Sequence, residues 1–273
     1  MYDSLYPDTL IITCGQQECA LDNQTNSRQE ITNCGLVKSS QSGLHPRLET
    51  LVLKHMKTEW KQPLHTPSVE AYRRLSKDVL PGSDLPIILD SGCGTGESTQ
   101  NLAILNPRHL VLGVDQSLNR LSRSGMTSDF LRIKNCILLR AELSTFWRLF
   151  LADGLTPERH CLFYPNPWPK PGHFLRRWHG HPVFPQLLAL GGVIELRCNW
   201  EIYAQEFAQA VRLATGAVLP VKVFKPEAGI TPFERKYLER DHSLYSVTVP
   251  TGVPGRHRMA VFETKKSQSK DWL

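Results

Sequence analysis

Residues Leu89-Asp90-Ser91-Gly92-Cys93-Gly94-Thr95-Gly96-Glu97 stand between the apolar run Ile87 to Leu89 and a segment with helical patterning that begins at Glu97. The order reads as buried strand, glycine turn, helix. Glycines at 92, 94 and 96 let the backbone bend sharply and let a ligand approach with no Cβ in the way. The spacing is G-x-G-x-G, not the G-x-G-x-x-G of dinucleotide sites. Further on, Leu110 to Val114 is a second strand and ends in Asp115. Cys136 to Leu139 is a third, followed by Glu142 and a helix around Phe146, Trp147 and Leu149 to Leu151. Cys161 to Tyr164 and Val193 to Leu196 continue the series, and a helix follows with Tyr203, Phe207, Ala210 and Ala214 on one face. Val218 to Phe224, Leu244 to Val249 and Met259 to Phe262 are later strands. Strands alternating with helices predict an α/β, Rossmann-like, doubly wound and mostly parallel sheet with helices on both faces.

The chain has 273 residues, 41% hydrophobic and 21% charged, enough to bury a core. No apolar run approaches the ~20 residues that span a bilayer, and the start lacks the basic-then-apolar pattern of a secretory signal. Seven scattered cysteines without a C-x-x-C pair fit free thiols in a reducing, cytoplasmic setting. No metal site is expected. Residues 1–45, rich in Gln, Asn, Ser and Thr, read as a mobile polar tail. One domain is expected over 46–264, with a helical extension at 46–85, a core at 86–264, and a polar end at 265–273. In the extension, Leu48, Leu51, Val52 and Met56 have helical spacing, and Pro63 and Pro67 interrupt it.

The net charge is +6, but the first 35 residues carry five acids against one arginine, −4, which leaves +10 for the rest. From Arg159 to Ile194 there is no acid, while Lys170, Arg176, Arg177 and four histidines are present. Such a stretch is either an electrostatic footprint for phosphate or a solvated loop.

The acids around the glycine turn narrow the ligand. A carboxylate directly before the loop, Asp90, disfavours a pyrophosphate and favours a cation. S-adenosylmethionine carries an ammonium and a sulfonium. Asp115 is placed to accept both ribose hydroxyls, and Glu142 to reach the adenine side. Taken singly, a glycine turn is often only a turn, and such an acid is often a helix cap. Taken in order, these features resemble the class I S-adenosylmethionine-dependent methyltransferases, whose sheet has seven strands.

The tip of the fourth strand reads Phe163-Tyr164-Pro165-Asn166-Pro167-Trp168-Pro169-Lys170, followed by Gly172-His173 and Leu175-Arg176-Arg177. Two prolines stiffen the turn around Asn166. Trp168 offers a face for a base, and Lys170, His173, Arg176 and Arg177 offer phosphate contacts. This run resembles the signature of the tRNA (guanine-N7-)-methyltransferase family, Pro-Asp-Pro-Trp followed by a basic segment. Cys198-Asn199-Trp200-Glu201-Ile202-Tyr203 resembles that family's Thr-Asp-Trp-x-x-Tyr, and Thr231-Pro232-Phe233-Glu234 its Thr-x-Phe-Glu.

The resemblance covers about residues 63–250. It implies cofactor contacts at Asp90, Gly92, Gly94, Gly96, Asp115, Glu142 and Asn166, with Asn166 at the catalytic position. It implies tRNA contacts at Lys170, His173, Arg176, Arg177, Asn199, Thr231, Phe233 and Glu234. The partner would be tRNA, and the chain a monomer or a homodimer. Capping readings stand beside two of these: Asn199 as N-cap of the following helix, and Thr231 to Glu234 as a capping box.

Two family acids are amides here, Asn166 and Asn199. Guanine N7 attacks through an in-plane lone pair and has no proton, so no general base is needed. Two lost charges would cost about 1–3 kcal/mol, or ~10–100-fold in rate. Methylation of an exocyclic base amine, with an amide oxygen accepting from the amine, is the alternative. A non-catalytic relative that binds RNA or cofactor is another.

Overall fold

The computed structural model describes residues 36–252, all of which belong to one compact unit. In chain order the elements are α1 (Leu48–Lys57), α2 (Thr66–Asp78), β1 (Ile87–Ser91), α3 (Glu97–Leu105), β2 (Leu110–Asp115), the single turn α4 (Leu118–Leu121), β3 (Phe130–Ile133), β4 (Cys136–Arg140), α5 (Leu143–Ala152), β5 (Arg159–Phe163), α6 (Phe184–Ala189), β6 (Val193–Cys198), α7 (Glu201–Thr215), β7 (Lys222–Phe224), α8 (Pro232–Glu239) and β8 (Leu244–Val249). A 3₁₀ segment covers Pro171–Arg176.

The strands form one sheet in the order β3-β4-β2-β1-β5-β6-β8-β7. Strands β4, β2, β1, β5 and β6 are parallel, while β3, β7 and β8 pair antiparallel to their neighbours. Alternate residues face opposite sides. Leu89, Leu112, Ile137, Leu139 and Leu162 point into one packed layer, and Ile88, Val111, Leu138, Cys161 and Phe163 into the other. Both faces are thus covered, as the near-continuous apolar runs require. Helix α5 buries Phe146, Trp147 and Phe150 completely. Each is worth about 1.5–3 kcal/mol over an exposed placement.

The sheet has eight strands where the methyltransferase pattern has seven. The addition is β3, a four-residue antiparallel edge with half-buried and exposed residues. The strand expected over 218–224 is only Lys222–Phe224. Pro220 has no N–H to extend the ladder, and Val218 is exposed. Pro67 starts α2 in its first turn.

The expected tail 1–45 lies mostly outside the described residues. Its last part is tied down: Ser39 Oγ donates to the Pro169 carbonyl at 2.6 Å, and His45 stacks on Phe174 at 4.3 Å. The expected strand Met259 to Phe262 and the end after 264 also lie outside the described residues. No helix among the described residues is long and apolar enough to cross a membrane.

The order reverses at β1, with β2 on one side and β5 on the other. Asp90 is in register with Gly113 and with Cys161. The turns after β1 and β5 therefore lie side by side at the carboxyl edge, the place where open α/β sheets bind ligands.

Candidate active site

The turn after β1 is held by its own backbone. Gly92 and Cys93 N–H both donate to the Val114 carbonyl, at 2.8 and 3.2 Å, and Gly96 N–H donates to Cys93 at 3.0 Å. Gly92, Gly94 and Gly96 all have left-handed φ, between 61 and 80°. A Cβ on Gly96 would lie 2.6 Å from Leu138 Cδ1, so close packing also demands glycine there. A Cβ on Gly94 meets nothing within 4 Å, so the space over the loop is open to a ligand.

Asp115 ends β2 and is 3% exposed. Its Oδ2 accepts from Gly94 N–H at 3.0 Å and its Oδ1 from Ser117 N–H at 2.8 Å, and the Arg120 guanidinium is ion-paired with Oδ1, Nη2 lying 3.1 Å away. Asp90 behaves differently from the expectation of a direct charge partner for the ligand. It is 1% exposed, and its Oδ2 accepts from the hydroxyls of Ser98 and Thr99 at 2.6 and 2.8 Å, which braces the first turn of α3. Burial pushes its pKa up to about 6, against the pull of those two hydrogen bonds. Glu142 is the N-cap of α5 and accepts from Thr145 N–H and Oγ1 at 3.0 and 2.6 Å and from Ser144 Oγ. Burial would raise its pKa, but these donors outweigh burial and lower it. The residues present fit an adenosyl group: an exposed Gly92, a half-buried Gly94 with open space where its Cβ would lie, and an acid at the end of the neighbouring strand.

The turn after β5 is built from unusual backbone. Tyr164 and Trp168 have φ of 50 and 44°, rare for bulky residues. Tyr164 N–H donates to the Arg197 carbonyl at 2.7 Å, and Asn166 Oδ1 accepts from Trp168 N–H at 3.2 Å. Asn166 is exposed at the crest. Trp168, expected to offer a face to a base, already carries the Arg176 guanidinium at 4.6 Å and the edge of His173 at 5.6 Å. Lys170 and Arg176 are exposed and His173 is half-buried.

Arg177 corrects the sequence reading. Expected on the RNA side, it is 0% exposed. Its guanidinium donates to Glu206 Oε2 at 2.5 Å, to the Trp168 carbonyl at 3.1 and 3.2 Å and to Gln41 Oε1 at 3.1 Å, and it stacks over Trp200 at 4.7 Å. A fully buried arginine with all three of its nitrogens engaged is not placed to meet a phosphate. The footprint read from the acid-free stretch shrinks accordingly. His160 and His179 are also fully buried, and burial pushes His181 down to about 4.

Glu206, the partner of Arg177, was not anticipated. It accepts from Gln41 Nε2 at 2.7 Å, His45 N–H at 2.8 Å and His179 Nε2 at 2.9 Å as well. Burial would raise its pKa, but the hydrogen bond from His179 and the charge of Arg177 hold it at about 2. The signal was present in the sequence. Glu206 lies between Tyr203 and Phe207 on the buried stripe of α7, where an acid requires a buried partner.

Helix α8 spans the two turns. Thr231 caps it, accepting from Glu234 N–H at 2.9 Å, while Glu234 reaches back to Ile230 N–H at 2.8 Å. This is the capping reading. Glu234 is 0% exposed and paired with Arg197 at 2.8 Å, so its carboxylate faces the protein, not a substrate. Arg235 pairs with Glu97 beside the glycine turn, and Asn101 Nδ2 donates to the Ile230 carbonyl at 3.0 Å. In the same first turn Phe233, 48% exposed, lies 6.3 Å from the Tyr164 ring. The N-cap position of α7 is Trp200, one residue after Asn199.

Comparison with known proteins agrees with this geometry. A family model described as "Putative methyltransferase" matches residues 84–246. The tRNA (guanine-N(7)-)-methyltransferase of Leifsonia xyli is 30% identical over 185 residues, covering 63% of this chain and 79% of that protein. The enzyme of the same name from Mycolicibacterium gilvum is 30% identical, with coverages of 60% and 67%. That of Bordetella pertussis is 26% identical, with 71% and 76%. Among solved structures, the 16S rRNA methyltransferase KamB aligns at 18% identity over 70% of this chain and 95% of its own, with a TM-score of 0.43. Fold and family model together define a methyltransferase. Within that class, the chain belongs to the tRNA (guanine-N(7)-)-methyltransferase family.

Proposed function

We propose that the chain transfers a methyl group from S-adenosylmethionine to N7 of a guanine in tRNA. The observation that carries this reading is the adjacency of two turns at the switch point of the sheet: the open glycine floor at 92–96 and the rigid crest around Asn166. Bound S-adenosylmethionine supplies an electrophilic methyl on a sulfonium. The chain's own residues then have three tasks. Gly92 to Gly96 and Asp115 hold the adenosyl half, and Glu142, as cap of α5, shapes its far wall. Asn166 stands where the purine edge meets the methyl, with the rings of Tyr164 and Phe233 as the adjoining wall. Lys170, Arg176 and His173 meet the RNA backbone, and Arg177 fixes the turn from beneath. Positioning and exclusion of water are the main requirements for a nucleophile that carries no proton.

The alternative, transfer to an exocyclic amine, would need the Asn166 oxygen as acceptor. That oxygen accepts one hydrogen bond, from Trp168 N–H, and keeps a second lone pair, so the preference for N7 rests on the relatives, which are named for guanine N7. The reading places the protein among cellular tRNA, in the cytoplasm. Purified protein is incubated with methyl-labelled cofactor and bulk tRNA, and the RNA is digested to nucleosides. Label in 7-methylguanosine is the expected result. Label in an N-methylated amine would transfer the case to the alternative, and absence of label in folded protein would refute catalysis.

A further inference from the structure

Asp115 is the acid that the reading above assigns to the ribose, and both of its oxygens are already engaged. A carboxylate offers about four lone-pair sites. Ser117 N–H at 2.8 Å takes one site of Oδ1 and Gly94 N–H at 3.0 Å one site of Oδ2. Two sites remain, one on each oxygen, and the ion-paired Arg120 guanidinium crowds the one on Oδ1, its Nη2 3.1 Å away. A ribose diol brings two hydroxyls, each of which needs an acceptor. Of the three groups in place, two are backbone N–H donors. Gly94 is fixed by the glycine turn, and Ser117 by its place as the N-cap of α4, where its Oγ accepts from Arg120 N–H at 3.3 Å. Only the Arg120 side chain, 50% exposed on a surface turn, can leave.

We propose that Arg120 competes with the ribose for Oδ1 of Asp115, so that its guanidinium turns out to solvent when the adenosyl group is fully seated. Arg120 thereby sets how tightly the cofactor is held. The inference rests on the cofactor reading of Asp115, and a mobile partner is consistent with the modest worth of half-exposed ion pairs.

Calorimetric titration with S-adenosylhomocysteine, which lacks the sulfonium charge, tests it without turnover. Arg120→Ala should bind about 2–5-fold tighter than the wild type. The wild type should tighten as salt screens the Arg120–Asp115 pair, and the variant should not. An analogue without the 2′- and 3′-hydroxyls should bind both proteins equally. Weaker or unchanged binding by the variant, or a gain that persists with the hydroxyl-free analogue, overturns the proposal while leaving the cofactor reading intact. If folded wild type and variant both fail to bind S-adenosylhomocysteine, the cofactor reading itself falls and takes this proposal with it.

Discussion

On the glycine-turn side of the crevice, the buried carboxylate of Asp90 is met by two neutral hydroxyls, those of Ser98 and Thr99. On the side of the Asn166 crest, the buried carboxylate of Glu206 is met by a full cation, Arg177, and by His179. Burial lowers the proton affinity of His179 in spite of Glu206, so it serves as a neutral donor. Both acids are essentially inaccessible, yet one is pushed up to about 6 and the other held at about 2. Burial favours the neutral acid in both places; the two hydroxyls do not outweigh it at Asp90, whereas the His179 hydrogen bond and the Arg177 charge do at Glu206. Among the described residues no cation is hydrogen-bonded to the buried acid of the first side. The second side is a stiff platform because it is bolted by one. That bolt joins three distant parts of the chain: Gln41 and His45, the 168–179 segment, and α7.

The sharpest way to break this contrast is Glu206→Ala. It leaves the Arg177 charge buried without a partner, which costs about 3–5 kcal/mol. Urea denaturation should show that loss, and the companion change Arg177→Met should recover much of it. A small loss for Glu206→Ala alone would mean that the platform is held by packing, not by the pair.

The two acids should also give opposite pH signatures. Asp90 binds its proton more tightly in the fold, so its stabilisation is complete below its ordinary 3.8 and is lost as pH rises through about 6. Glu206 is the reverse: its contribution is complete above 4.5 and is lost as pH falls toward about 2. The Asp90 part amounts to roughly 3 kcal/mol at most. Unfolding free energy measured between pH 4 and pH 6.5 should decline less steeply in Asp90→Asn than in the wild type. An identical slope would show that Asp90 is not the residue responsible.

Much of this architecture was legible in the sequence, because it depends on local pattern. The apolar runs that became β1, β2, β4 and β5 are continuous, as doubly covered strands must be, and the glycine turn announces its own backbone. Gly96→Ala tests that legibility. It forces left-handed φ on a residue with a Cβ and drives that Cβ into Leu138, for about 1–3 kcal/mol of lost stability in thermal melts. A tolerant protein would show that the turn can relax. What the sequence did not reveal are pairings at long separation. Arg177 looks like any arginine of a basic loop until Glu206, 29 residues away, is seen beside it. Edge strand β3 was invisible for another reason: four residues with little burial leave no periodic signal.

The smallest expected effect joins the two sides through the chemistry. In the proposed reaction, positive charge moves from the donor sulfur to the purine ring, over the crest at Asn166. Asn166 is exposed, and its Oδ1 accepts from Trp168 N–H, a bond that a carboxylate would make equally well. Asn166→Asp should therefore leave stability unchanged and place a negative charge beside the product cation. A charge-assisted contact is about twice as strong as a neutral one, so a rise of ~10-fold in single-turnover rate is expected, about 1.4 kcal/mol. Asn199→Asp serves as the comparison for the second amide. If initial rates with labelled cofactor do not change in Asn166→Asp, the crest does not sense the developing charge. Its part would then be confined to orienting the guanine, and the charged partner that distinguishes the platform would act on the fold alone.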